Sequence, residues 1–141
     1  MSGVSEDTDY IICEGYVNDY LASCELGSIS EGYEAELDTT TFYGGMESLC
    51  KTLANNYTDR RYGFIITHSH YSVGALYENE LYLKAIRECC DKWGVPYLDL
   101  SNLITPIIPI NNSTFYTDGI HYNELGYRRI TNAIREWLKT L

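Results

Sequence analysis

Short apolar runs alternate with amphipathic stretches along the chain. Asp9 to Cys13 (Asp-Tyr-Ile-Ile-Cys), Tyr62 to Thr67 and Val95 to Leu100 are rich in β-branched and aromatic residues and too short for helices, so each reads as a buried strand. Between the first two, Phe42, Met46, Leu49, Cys50, Leu53 and Tyr57 recur at helical spacing behind Thr39–Thr41, which can cap the helix they predict. Leu81, Tyr82, Ala85, Ile86, Cys89 and Trp93 form the next helical stripe, which Gly94 and Pro96 end. A last helix starts near Asn123 or Glu124 with Ile130, Ile134, Trp137, Leu138 and Leu141 on its apolar face. Strands alternating with helices predict an α/β fold on a mainly parallel sheet of about three strands, as a single domain over residues 1–141.

Three segments carry no period. Glu14 to Asp19 reads as a polar turn. Tyr20 to Asp38 is acidic and holds Gly27, Ser28, Ser30 and Gly32, as a lid, a binding loop or a plain surface excursion would. Leu103 to Ile110 is apolar but contains Pro106 and Pro109, which predicts an irregular wall against the core. Ligands of open parallel sheets bind past the carboxyl ends of the strands. Candidate chemistry therefore falls in the Gly15–Asp19 turn, the His68–Ser72 loop and the Asp118–Asn123 turn.

Composition narrows the partners. With 20 acidic against 10 basic residues the net charge is −10, which repels phosphate backbones and anionic lipid, so neither nucleic acid nor membrane is expected. No apolar run approaches the ~20 residues needed to span a bilayer, and the polar, acidic first residues are no signal peptide. Five cysteines without framework spacing read as buried free thiols in a reducing compartment, hence a cytoplasmic protein. No Cys-x-x-Cys pair supports zinc, and no cofactor is expected. Fourteen tyrosines suit a cleft for hydroxylated ligands, or reflect compositional drift alone.

The strongest chemical signal is Asp118-Gly119-Ile120-His121-Tyr122-Asn123, followed by Gly126-Tyr127. A histidine just before a helix can be aimed into a cleft. An aspartate three residues earlier can bond its Nδ1 and leave Nε2 free to take a proton. By itself Asp-x-x-His equally describes a turn aspartate beside a capping histidine. The whole block, however, resembles the last conserved block of SGNH (GDSL-type) hydrolases, Asp-Gly-x-His-Pro-Asn, with Tyr122 in place of the proline. Independently, Ile11-Ile12-Cys13-Glu14-Gly15-Tyr16-Val17-Asn18-Asp19 resembles that family's apolar strand followed by Gly-x-Asn-Asp, with Tyr16 at the glycine position. The blocks stand in family order and the resemblance covers nearly the whole chain. It implies a flavodoxin-like, three-layer fold and an ester hydrolase acting on a small acyl ester or acetylated carbohydrate. In it His121 is general base then acid, Asp118 orients His121, and Asn18 donates to the oxyanion.

The family's Gly-Asp-Ser nucleophile occurs nowhere in the 141 residues. This predicts a truncated fold with weak or no activity, or alternatively a non-catalytic binding or assembly module. Ser69 and Ser72 could face the same cleft but read as loop polar residues. A metal held by His68, His70, Asp118 and His121 has no other support. Without the family's first two strands, the Asp9–Cys13 strand becomes an exposed edge. That predicts a homodimer joined along this edge or across the uncovered apolar face.

Overall fold

The computed structural model describes residues 4–5, 7–67, 76–101, 114–118 and 121–141. Three strands form one parallel sheet in the order β1-β2-β3: β1 Tyr10–Glu14, β2 Arg61–Ile66 and β3 Tyr97–Asp99. Register runs from Tyr10↔Arg61 to Glu14↔Ile65, and from Phe64↔Tyr97 to Ile66↔Asp99. Parallel neighbours need long crossovers. Here α2 (Phe42–Asn56) joins β1 to β2, and α3 (Leu76–Trp93) joins β2 to β3. Both pack on one face, where Ile11, Phe64 and Ile66 of the sheet meet Met46, Cys50 and Leu53 of α2 and Leu83, Ile86, Cys89 and Cys90 of α3. Thr41 caps α2, its Oγ1 accepting from the Gly44 N–H, and Gly94 ends α3 with a φ of 65° that glycine adopts freely.

The last helix, α4 (Glu124–Leu138), covers the opposite face, completing three layers. Ile130, Ala133 and Ile134 pack with Ile65, Leu98 and Leu100. Gly63 makes room for Trp137, since a Cβ there would lie 2.7 Å from the ring and 2.8 Å from the Pro96 carbonyl oxygen. Trp137 thus meets the starts of β2 and β3, while Ile130 sits by Leu100, just past the end of β3. The helix therefore runs against the strands, and its first turn stands at the carboxyl edge of the sheet. This is a flavodoxin-like arrangement, as the blocks implied. Among the described residues no strand pairs with the outer side of β1.

One expectation changes and one open alternative takes shape. The polar turn after β1 contains a helix, α1 (Val17–Leu21), with no buried residue and no side-chain cap. Five residues are too few for a 3.6-residue period to register. The excursion from residue 22 to 41 is a strap fixed along the helical layer. Its Glu25 and Leu26 carbonyls accept from the Phe42 and Tyr43 N–H groups at 2.8 and 3.0 Å, filling two donors that the start of α2 leaves open. Further along, Ser30 donates to Glu47 through its N–H at 2.6 Å and its hydroxyl at 3.0 Å. Glu47 is 0% exposed and pairs with Lys92 at 2.5 Å. Trp93 Nε1 donates to the same carboxylate at 3.2 Å, and Lys92 also reaches the Ser30 carbonyl at 2.8 Å. These tethers draw the strap along α2 to the last residues of α3, a course that fits the surface excursion among the alternatives.

All five cysteines are free, with Cys50, Cys89 and Cys90 buried. A hydrogen bond with Cys90 and burial push the Cys50 thiol up, and burial does the same for Cys89, so both are packing groups and poor nucleophiles. No helix among the described residues is long and apolar enough to cross a membrane. The 103–110 wall lies outside the described residues.

Candidate active site

The site is built from a tight turn that returns on itself before α4. Tyr116 and Tyr122 pair as an antiparallel bridge. The Thr117 N–H donates to the His121 carbonyl at 2.8 Å and the Asn123 N–H to the Phe115 carbonyl at 2.9 Å. The two tyrosine rings stack, with centroids 5.3 Å apart and planes 22° from parallel, and Tyr127 meets Tyr122 edge-on at 5.7 Å. Tyr122 thus supplies, by stacking and a backbone bridge, the stiffness that a proline supplies through its ring. Burial pushes the Tyr116 phenol up to about 12 against the opposing pull of the Tyr122 hydroxyl. Gly126 is needed because a side chain there would collide with the Phe115 carbonyl oxygen.

This turn brings Asp118 and His121 together. One carboxylate oxygen of Asp118 accepts from the His121 backbone N–H at 2.8 Å, and the other stands 2.7 Å from His121 Nδ1. A carboxylate can only accept, so Nδ1 carries a proton, and in the neutral imidazole Nε2 then presents its lone pair. The side chains are 73% and 51% exposed. The pair is therefore open to an incoming group, and Nε2 can act as a proton acceptor.

Asn18 lies on α1, just past β1, and its side chain is exposed. Tyr16, buried to 1% in the core, fixes where the chain leaves β1 and so where Asn18 stands. At the other end of α1, the Tyr82 hydroxyl donates to the Cys24 carbonyl and its ring meets Tyr20 at 5.7 Å. Asn18 and the Asp118–His121 pair share the carboxyl edge of the sheet. No hydrogen bond joins them among the described residues.

That match of order, fold and geometry agrees with the sequence as a whole, which fits the GDSL-like lipase/acylhydrolase family over residues 2–134. The chain belongs to this family. A crystal structure of a protein from Lactobacillus plantarum is similar to this GDSL chain with a TM-score of 0.81 and 28% identity, over 97% of this chain and 69% of that one. Another crystal structure gives 0.72 and 24%, over 98% and 67%. A GDSL-like lipase from Bacteroides ovatus gives 0.61 and 20%, over 94% and 55%. The last two likenesses are of fold alone. No curated protein matches the chain.

Ser69, Ser72 and the His68–His70 pair lie outside the described residues. Among the described residues no group of three His, Cys, Asp or Glu side chains is placed to hold a metal. Sequence reading missed a polar cluster at the end of β3. There Arg87 bonds Asp99 at 2.8 Å, Glu80 at 2.7 Å and Ser101 at 2.9 Å, and Asp99 accepts from the Ser101 N–H at 2.9 Å. It fixes the chain at the end of β3. Asp-x-Ser after a strand was the available signal, since an aspartate often bonds the backbone two residues on.

Proposed function

We propose that this GDSL chain is built to hydrolyse small acyl esters or acetylated carbohydrate. Its own rate is weak, because its 141 residues hold no Gly-Asp-Ser. The observation that carries the reading is the 2.7 Å contact between Asp118 and His121 Nδ1, which leaves Nε2 as a base. In the reaction, water attacks the ester carbonyl and His121 Nε2 takes its proton. Asn18 donates to the oxyanion that forms, and the Asp118 carboxylate faces the new imidazolium charge. As the carbonyl re-forms, the bond to the alcohol breaks and His121 returns the proton to the leaving oxygen. The products are the free acid and the alcohol, and His121 is neutral again.

Hydrolysis of p-nitrophenyl acetate tests this. His121→Ala is expected to lower the rate by at least about 10²-fold, the usual share of a positioned general base. A rate that the substitution leaves unchanged rules out this role for His121. The absence of Gly-Asp-Ser favours a second reading, a non-catalytic binding or assembly module. It predicts no hydrolysis above buffer before any substitution. We also infer a second copy as partner, along the outer side of β1 or across the apolar sheet face beside it. Sedimentation equilibrium at micromolar concentration is expected to give twice the mass of the chain, and a stable monomer refutes the inference.

A further inference from the structure

Two of the hydrogen bonds that close the turn at His121 come from one side chain. Asn123 stands just before α4 in extended backbone, and its Oδ1 accepts from the Gly126 N–H at 3.0 Å. That is an ordinary helix cap, which serine, threonine or aspartate makes as well. The other side-chain atom is engaged too: Nδ2 donates to the Thr114 carbonyl at 3.0 Å. Aspartate has no donor for that bond, and the single oxygen of serine cannot stand at both partners. Thr114 lies where the chain enters the turn, and Asn123 where it leaves. Between them lie both groups of the pair, Asp118 and His121.

We infer that Asn123 is a positioning residue for His121. The amide ties the incoming strand to the first turn of α4, which sets the gap across which the Asp118 carboxylate meets Nδ1. The Asn123 N–H to Phe115 and the stacked Tyr116 and Tyr122 rings hold the middle of the same turn. With the Thr114 bond removed, α4 keeps its cap while the segment carrying Asp118 loses one of its ties to the start of the helix. The imidazole then spends time away from the carboxylate, where nothing fixes its tautomer. This inference rests on the reading of His121 as a general base, which needs Nε2 unprotonated.

The test uses the full chain, 15N-labelled, at a pH where the imidazole is neutral. Long-range proton–nitrogen spectra report which ring nitrogen carries the proton. In the unmodified chain His121 is expected as the Nδ1–H form, with a deshielded Nδ1 proton held by Asp118. Asn123→Asp and Asn123→Ser both retain the cap acceptor, and an aspartate also suits the helix start. Each is expected to keep the melting temperature and helical signal while His121 moves to a mixture of tautomers and the deshielded proton broadens away. Retention of the original tautomer and proton signal in both variants overturns the inference, since Asn123 would then be a helix cap alone. Failure of the esterase reading looks different: His121→Ala leaves hydrolysis unchanged, whatever the spectra of the Asn123 variants show.

Discussion

Glu47→Gln is expected to cost about 3–5 kcal/mol of folding stability, the range for removing one partner of a buried ion pair. The carboxylate is fully buried, and Lys92, whose side chain is 13% exposed, is its only ionic partner among the described residues. Glutamine keeps the shape but leaves the lysine without a counter-charge. It also turns an acceptor of Ser30, Lys92 and Trp93 donors into a group that is half donor itself. Urea unfolding measures the loss, and hydrogen exchange locates it. Amides of residues 25–38 should exchange fastest, because their tethers run through this carboxylate. Replacing both partners, Glu47→Gln with Lys92→Met, should recover much of the loss, since no uncompensated charge remains. A cost below about 1 kcal/mol, the range of exposed pairs, would show that the pair is not buried in solution.

The same pair gives a pH dependence of fixed sign. Burial alone would raise the Glu47 carboxyl, but hydrogen bonds from Lys92, the Ser30 N–H, Trp93 and the Ser30 hydroxyl outweigh it. The folded value therefore lies below the ordinary 4.5. A depressed carboxylate contributes stability that is complete above its unfolded value and lost as pH falls through the folded one. The chain should therefore lose stability on acidification below about pH 4.5, and Glu47→Gln should lose less over that range.

Supplying the nucleophile should have the larger effect on activity. A family amino-terminal segment carrying Gly-Asp-Ser, grafted ahead of β1 so that its first strand pairs along the outer side, is expected to raise hydrolysis by about 10³-fold or more. Loss of a catalytic serine costs more than that in enzymes of this chemistry. The gain is expected because the acid–base pair already stands in place. Mutating the grafted serine to alanine should return the rate to that of the ungrafted chain, and His121→Ala should lower it at least as far. Together they should do no more than His121→Ala alone, because residues acting as a unit are non-additive. A folded chimera without the gain, or a gain that survives His121→Ala, would remove His121 from the mechanism.

Legibility in the sequence followed the range of the interactions. Helices α2, α3 and α4 were readable because Met46, Cys50 and Leu53, or Ile130 and Ile134, recur with the helical period and face one layer. The Asp118–His121 pair was readable because its residues are three apart and the Asp118 carboxylate meets both the backbone N–H and Nδ1 of His121. Asn18 could be named from its motif but not placed, because its position follows from burial of Tyr16 and from Tyr82 on α3, far along the chain. The strap was opaque for the same reason. Ser30, Glu47 and Lys92 show no shared pattern in sequence and meet only when α2 and α3 pack. In Asn123 the cap was foreseeable, while the bond to Thr114 depends on a turn whose closure no spacing reveals.

The turn from Thr114 to Gly126 has a kinetic side as well. Contacts between residues this close in sequence carry little loop-closure entropy and form early relative to long-range strand pairing. The hydrogen bonds described around Asp118 and His121 lie within that span, so these closures need no strand pairing, while the Tyr116 and Tyr122 rings also pack against the sheet through Leu100 and Ile65. On the reading of His121 as a general base, the proton-handling pair is thus closed by short-range contacts, whereas the nucleophile would have to come from a different strand.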